Sequence, residues 1–89
     1  MNAARFIVRG RVQGVFFRAS AREQAMKLKL TGYARNMIDG SVEVVAYGTA
    51  AAIDQLEVWL HDGPATAEVQ ELFREEIGVH DVPAEFLTK

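Results

Sequence analysis

A stretch of nine residues, 10–18, separates a segment with strand periodicity from one with helix periodicity, and it reads GRVQGVFFR. Its glycines, Gly10 and Gly14, permit backbone conformations that a Cβ atom forbids, so successive N–H groups can point into one small space. Where the helix begins, its first turn adds further unpaired N–H groups and the positive end of the helix dipole. Arg18 stands at that junction with a planar, permanently charged guanidinium. Together these features favour an anion-binding loop.

The same spacing also occurs in ordinary strand–loop–helix connections, in which an arginine of the first turn is simply solvated. Spacing alone therefore leaves both interpretations open. A Walker motif is excluded, because it requires a lysine after its second glycine and the first lysine of this chain is Lys27. The glycine pattern of dinucleotide-binding loops is absent as well.

The distribution of charge indicates what kind of anion the loop would bind. Residues 1–22 contain five arginines and no acidic residue, whereas the remaining residues contain five basic and twelve acidic side chains. A positive segment on an acidic body attracts a small anion but repels a long polyanion. We therefore expect a small-molecule ligand and no nucleic-acid partner. The alternative is that Arg9 and Arg11 merely cover the solvent-facing side of a strand.

The length of 89 residues suffices for one domain, residues 1–89, with a single hydrophobic core. The chain has no cysteine, which rules out disulfides, thiol nucleophiles and cysteine-based zinc sites. No apolar run approaches the roughly 20 residues of a membrane span, and the first residues lack the apolar core of a signal peptide. The expectation is a cytoplasmic protein without a membrane partner.

Hydrophobic periodicity predicts the order of strands and helices. Thr49 is positioned to cap the second helix, and irregular alternation at Val69 and Leu72 predicts a bulge in the fourth strand. Asp39 and Gly40 form a typical hairpin turn. The predicted elements are strands at residues 5–12, 31–38, 41–47 and 66–77, helices at residues 18–29 and from Thr49 to the Gly63-Pro64 pair, and a possible short strand at residues 85–88.

The order β-α-β-β-α-β predicts the α+β class, with an antiparallel sheet and two helices packed on one face, the ferredoxin-like sandwich. RNA-recognition domains and metal chaperones share this order, so the fold alone does not identify the function. An RNA-recognition domain needs exposed aromatic residues in a basic strand, whereas residues 41–48 carry Glu43 and only one aromatic residue, Tyr47. A metal chaperone needs paired cysteines. Neither class fits.

Two separate motifs and several weaker matches together form a pattern that extends over nearly the whole chain. The first motif is Val8-x-Gly10-x-Val12-Gln13-Gly14-Val15-x-Phe17-Arg18. The second is Gly32-Tyr33-Ala34-Arg35-Asn36, followed by Asp39-Gly40-x-Val42-Glu43 and Gly48. The weaker matches are Gly63-Pro64, Ala67-x-Val69 and Phe86. This pattern resembles that of the acylphosphatase family.

The resemblance implies a monomeric enzyme that hydrolyses small acyl phosphates to carboxylate and inorganic phosphate without a metal ion or cofactor. Carried over position by position, Asn36 would position the attacking water, and Arg18 would bind the phosphate together with the loop N–H groups. A carboxylate is a good leaving group, so positioning and charge stabilisation can suffice. The implied phosphate-binding positions are Gln13, Gly14, Val15, Phe16, Phe17 and Arg18.

Three positions depart from the family pattern. Tyr33 and Ala34 replace the commoner Trp and Val, which leaves Asn36 in register. Lys29 stands where the family usually has the glycine that ends the first helix. If this position is left-handed, lysine costs about 1 kcal/mol relative to glycine.

Other candidate catalytic residues are weaker, and a second class of function stays open. His61 is expected at the end of the second helix and His80 in a late loop. Ser20 has no histidine near it in sequence. Asp39 fits turn chemistry better than metal binding, and Trp59 fits the core. The second class is a non-catalytic domain that binds phosphate-bearing ligands or a protein partner.

Overall fold

The computed structural model describes residues 1–89, which form five β-strands and two α-helices. The elements are β1 (Asn2–Arg11), α1 (Phe17–Lys27), β2 (Thr31–Asn36), β3 (Val42–Gly48), α2 (Ala50–Asp62), β4 (Glu68–Glu76) and β5 (Phe86–Thr88). All strands join one sheet in the spatial order β4-β1-β3-β2-β5. The predicted ferredoxin-like sandwich and its fifth strand are confirmed. The sheet is mixed, because β5 runs parallel to β2 while the other neighbours are antiparallel.

Alternate residues of the strands and one stripe of each helix meet in a single apolar core. Phe6 and Val8 of β1 point to the helices, as the alternation predicts. Trp59 packs at the edge of this core against Phe17, with ring centroids 5.7 Å apart. Neither helix is long and apolar enough to span a membrane. The helical residues of the core are Phe17, Ala21 and Ala25 of α1 and Ala52, Ile53, Leu56 and Leu60 of α2.

Helix α1 ends two residues earlier than predicted, in a Schellman motif centred on Lys29. The N–H of Leu30 donates to the carbonyl of Ala25 at 2.9 Å, and the N–H of Lys29 donates to Met26 at 3.1 Å. Lys29 has φ 60°, which is the left-handed region that favours glycine. The lysine that departs from the family pattern therefore occupies a strained position.

Helix α2 begins and ends as the sequence predicts. The hydroxyl of Thr49 accepts a hydrogen bond from the N–H of Ala52 at 3.1 Å. At the other end Gly63 has φ 67°, and its N–H donates to the carbonyl of Trp59. A Cβ on Gly63 would lie 2.6 Å from the Phe17 ring, so a glycine is required both by the backbone and by the packing.

The predicted bulge lies in β4 at Gln70. Arg9 of β1 pairs with Glu71, whereas the next residue, Gly10, pairs with Val69, so Gln70 has no partner opposite it. A Cβ on Gly10 would lie 2.2 Å from the carbonyl oxygen of Glu68. Gly10 is thus required for close strand packing and belongs to β1, outside the loop that precedes α1.

The hairpin between β2 and β3 is wider than predicted, and β2 ends at Asn36 instead of residue 38. The N–H of Met37 donates to the carbonyl of Ser41, and the N–H of Gly40 donates to Met37. Asp39 accepts from both the backbone N–H and the hydroxyl of Ser41 at 3.0 and 2.6 Å. Its role in the turn is confirmed.

On the face of the sheet opposite the helices, the Glu43 carboxylate lies between two arginines and is only 3% exposed. Arg5 donates from Nε to one carboxylate oxygen, and Arg35 donates from Nε to the other at 2.6 Å. Arg5 also donates to Glu75 at 3.2 Å. Burial by itself raises the pKa of Glu43, but hydrogen bonds from Arg5, Tyr33 and Arg35 outweigh it and hold this pKa below its usual value.

Candidate active site

Residues 12–16 form the loop between β1 and α1, and two of them have left-handed backbone conformations. Gly14 and Phe16 have φ of 73° and 62°. The first hydrogen bond of α1 runs from the N–H of Ser20 to the carbonyl of Phe16, at 3.0 Å. The N–H groups of residues 13–18 precede that pattern and donate to no protein acceptor. No side chain caps this helix end and its first turn has no acidic residue, so no protein group compensates the donors or the positive end of the helix dipole.

Side-chain hydrogen bonds to backbone carbonyls anchor the loop to two neighbouring segments. The Gln13 amide donates to the carbonyls of Met37 and Ser41, at 2.8 and 2.9 Å. The Thr66 hydroxyl donates to the carbonyl of Val15, at 2.7 Å. The side chain of Gln13 therefore fixes the loop to the β2–β3 hairpin, which leaves only its backbone N–H for a ligand.

Arg18 is half-buried in the first turn of α1, and one of its guanidinium N–H groups donates to the main-chain oxygen of Lys89. Since a guanidinium has five N–H donors, most of them remain available to a ligand. One helical turn later, Arg22 donates to the carbonyl of Phe86 at 3.0 Å. Two arginines therefore tie α1 to β5.

The loop, α1, β2 and β5 enclose a cavity of about 290 Å³ that contains both predicted catalytic residues. Of the six predicted phosphate-binding positions, four line this cavity, whereas Gln13 and Val15 do not. Three further residues, in the loop, α1 and β5, were missed by the sequence analysis. The complete lining is Val12, Gly14, Phe16, Phe17, Arg18, Ala19, Asn36 and Thr88.

Asn36 and Thr88 form the sheet wall of the cavity. Ala34 of β2 lies in the core, so Asn36, two residues later, points to the same face of the sheet. Thr88 of β5 pairs with Ala34. Strand geometry places the Cα atoms of Thr88 and Asn36 about 8 Å apart. The Asn36 amide takes part in none of the side-chain hydrogen bonds of the protein, and it is therefore free to bind water or ligand.

The weaker candidates lie elsewhere. His61 is in the last turn of α2, 3.9 Å from the Glu57 carboxylate, and His80 lies in the loop before β5. Ser20 belongs to α1 but does not line the cavity. No group of three or more His, Asp or Glu side chains could hold a metal ion. The chemistry available in the cavity is therefore anion binding by donors and a cation, with a neutral amide beside them.

Comparisons with known proteins identify the family of the chain. A family model described as Acylphosphatase matches residues 4–87. A curated acylphosphatase from Xanthomonas euvesicatoria pv. vesicatoria (strain 85-10) is 60% identical over 74 residues, which are 83% of this chain and 84% of that protein. The solved structure of an acylphosphatase from Coxiella burnetii is 42% identical with a TM-score of 0.94, over 99% of this chain and 92% of that chain.

A more distant match is full-length HypF, solved in a phosphate- and nucleotide-bound form. It is 26% identical with a TM-score of 0.85, over 99% of this chain but only 12% of that chain. The fold thus also occurs inside a much larger protein. The family model and the 60% identical relative, each matching most of this chain, show that it belongs to the acylphosphatase family of enzymes.

Proposed function

We propose that water, positioned by Asn36, attacks the phosphorus of a small acyl phosphate whose phosphate is held by Arg18 and the loop N–H groups. The observation that carries the proposal is the convergence of unpaired N–H groups, a guanidinium and a free amide on one cavity. The N–H groups of residues 13–18 and the guanidinium supply positive charge from two directions. This arrangement suits the equatorial oxygens of a transferring phosphoryl group.

The reaction needs no strong base in this cavity. Water forms a bond to phosphorus while the bond from phosphorus to the acyl oxygen breaks, and the electron pair leaves with the carboxylate. The proton of the attacking water passes to an oxygen of the bound phosphate, so the products are carboxylate and inorganic phosphate. Because a carboxylate is a good leaving group, the lack of a histidine or carboxylate in the lining is consistent with this mechanism.

The surface charges support a small substrate over a nucleic acid. On the open face of the sheet, Arg5 and Arg35 are neutralised by Glu43 and Glu75. Arg18 makes no ion pair with a side-chain carboxylate, and its guanidinium has further N–H donors for a ligand in the cavity. We also propose that residues 1–89 act as one domain, as a monomer and in the cytoplasm.

The alternative is a domain that binds phosphate without turnover. HypF, in which the fold makes up a small part of a larger chain, is only 26% identical, whereas the relative at 60% identity is an acylphosphatase. The enzyme is therefore favoured.

Incubation with benzoyl phosphate, followed by loss of its ultraviolet absorbance, tests the enzyme directly. We expect turnover that survives prolonged treatment with a chelator, because the lining offers no set of metal ligands. Loss of turnover on chelation with recovery on addition of Mg²⁺ or Zn²⁺ would show that the metal-free mechanism is wrong.

Inorganic phosphate tests the binding site, and the hydrolysis of benzoyl phosphate then distinguishes an enzyme from a binding domain. As a product that binds only the native state, it should raise the melting temperature, and less so in Arg18→Ala. A binding domain would show the same rise without any hydrolysis of benzoyl phosphate.

A further inference from the structure

We infer that the side chain of Phe16 contacts the acyl group of the substrate and makes the enzyme prefer acyl phosphates with an apolar, above all an aromatic, acyl group. The inference rests on the proposed function, because it uses the positions of water and phosphate assigned there. It concerns the side chain of Phe16, whereas phosphate binding concerns its backbone N–H.

Phe16 is an aromatic residue that the core does not use. Its side chain lines the cavity and the residue is 79% exposed, while its neighbours Val15 and Phe17 are 8% and 1% exposed. A large apolar side chain that stays in water between two buried ones contributes little to folding. At the mouth of a cavity it is instead available to a ligand.

The backbone conformation of Phe16 also indicates a binding role for this residue. Its φ of 62° lies in the left-handed region, which is unfavourable for a bulky side chain and which Gly or Asn would occupy with less strain. The left-handed residue is thus the one whose side chain is exposed, between two neighbours whose side chains are buried. Strained residues of this kind concentrate at binding and catalytic sites.

The in-line geometry of phosphoryl transfer indicates which end of the substrate meets Phe16. Attacking water and leaving oxygen lie on opposite sides of phosphorus. If Asn36 holds the water at the sheet wall, the acyl oxygen points away from the sheet, past the loop N–H groups that hold the equatorial oxygens and toward the mouth of the cavity beside the wall that the loop and α1 form. On that wall Gly14 has no side chain, Ala19 is small and Phe17 is buried. Phe16 is the large exposed apolar group that remains there.

The chemistry of this contact defines the ligand class. An aromatic acyl group can stack on the Phe16 ring in an offset or edge-to-face arrangement, and it buries more apolar area than an acetyl group does. Benzoate and acetate are both good leaving groups, so a difference in turnover between their acyl phosphates reports binding by the enzyme.

The test compares kcat/KM for benzoyl phosphate with kcat/KM for acetyl phosphate in wild type, Phe16→Ala, Phe16→Leu and Phe16→Tyr. We expect the wild type to prefer benzoyl phosphate, and the ratio to fall about 5- to 10-fold when the ring is lost. Phe16→Tyr keeps the ring and should keep the ratio. Any general damage to the loop affects both substrates equally and cancels in the ratio. If Phe16→Ala does not fold, Phe16→Leu provides the same measurement.

Phe73 supplies the matched control. It is also an exposed phenylalanine, 50% accessible, but it lies on the open face of the sheet under Arg9. Phe73→Ala should leave the ratio unchanged. A ratio that stays within twofold of wild type in Phe16→Ala or Phe16→Leu, or a wild type without preference, overturns the inference alone. A wild type that hydrolyses neither substrate overturns the proposed function and this inference with it.

Discussion

Arg18 both lines the cavity and ties α1 to β5, so its removal should affect substrate binding and turnover together. In the proposed mechanism, Arg18→Ala takes away the main charge that holds the phosphate and stabilises its transition state. We expect KM to rise and kcat to fall, with a combined loss in kcat/KM of about 10²-fold or more. Arg18→Lys should not restore activity, because an ammonium group cannot reproduce the two-pronged grip of a guanidinium. Steady-state kinetics on benzoyl phosphate measures both effects.

Arg22 provides the control for the structural part of the Arg18 effect. Arg22→Ala loses an equivalent hydrogen bond to β5 at Phe86 but removes nothing from the cavity lining. Its melting temperature should fall about as far as that of Arg18→Ala, while its kcat/KM stays within a few-fold of wild type. Equal kinetic losses in the two variants would mean that Arg18 acts only by holding β5.

Asn36 should behave differently from Arg18, since it contributes a neutral amide and no charge. Asn36→Ala should leave the affinity for inorganic phosphate nearly unchanged and lower kcat by about 10²-fold, as the loss of a positioned donor does in other enzymes. Calorimetric titration with phosphate beside kinetics separates the two effects. Near-normal kcat, or phosphate binding as weak as in folded Arg18→Ala, would rule out water positioning by Asn36.

At the scale of the elements, the end of α1 offers a stabilising substitution. Lys29 holds the left-handed position of a Schellman motif, so Lys29→Gly should remove the strain without altering the two hydrogen bonds around it. We expect stability to rise by up to about 1 kcal/mol, which corresponds to about 4–8 °C in melting temperature for a domain of this size. Thermal and chemical denaturation measure the change.

Lys27 is the matched control for that substitution. It is the last residue of α1, is exposed and is helical, so Lys27→Gly should destabilise the protein by about 0.5–1 kcal/mol. If both variants lose stability, the backbone strain assigned to Lys29 is not what limits the end of this helix.

The elements differ in how well the sequence predicts them. Strand β1 and helix α1 have long periodic patterns that predict them well. The hairpin turn at Asp39 and Gly40 and the cap of α2 at Thr49 are predicted because these residue types prefer such positions. The pairing of β5 with β2 could not be predicted, because three residues carry too little periodicity to specify a partner or a direction. That pairing places Thr88 beside Asn36 and brings the Lys89 carbonyl to Arg18. The motifs therefore identified two catalytic candidates but not Thr88, which lines the cavity with them.

The stability of the whole molecule should depend on pH through Glu43. Its pKa is lowered in the folded state, so the carboxylate contributes stability that is fully present above its unfolded pKa and is lost as pH falls through the folded value. Wild type should therefore lose stability on acidification below about pH 4.5. Chemical denaturation at a series of pH values measures the slope.

The variant Glu43→Gln isolates this contribution. It leaves Arg5 and Arg35 without their shared carboxylate, so it should cost about 1–3 kcal/mol at pH 7. As pH falls below about 4.5 the difference from wild type should shrink, because the unfolded wild-type carboxyl and then the folded one become protonated. A difference that stays constant across the whole range would assign the acid sensitivity to other groups.

Local opening of strand β5 should end the activity of the enzyme before the protein unfolds globally. It is only three residues long, and hydrogen bonds at its two ends run from the amides of Gly32 and Lys89 to the carbonyls of Glu85 and Ala34. A short strand at the edge of a sheet opens locally at a lower free energy than the core strands. Hydrogen exchange should therefore be faster at Gly32 and Lys89 than in the middle of β1. On heating, activity should therefore be lost before the far-ultraviolet ellipticity falls, because Thr88 leaves the cavity lining before the rest of the sheet unfolds.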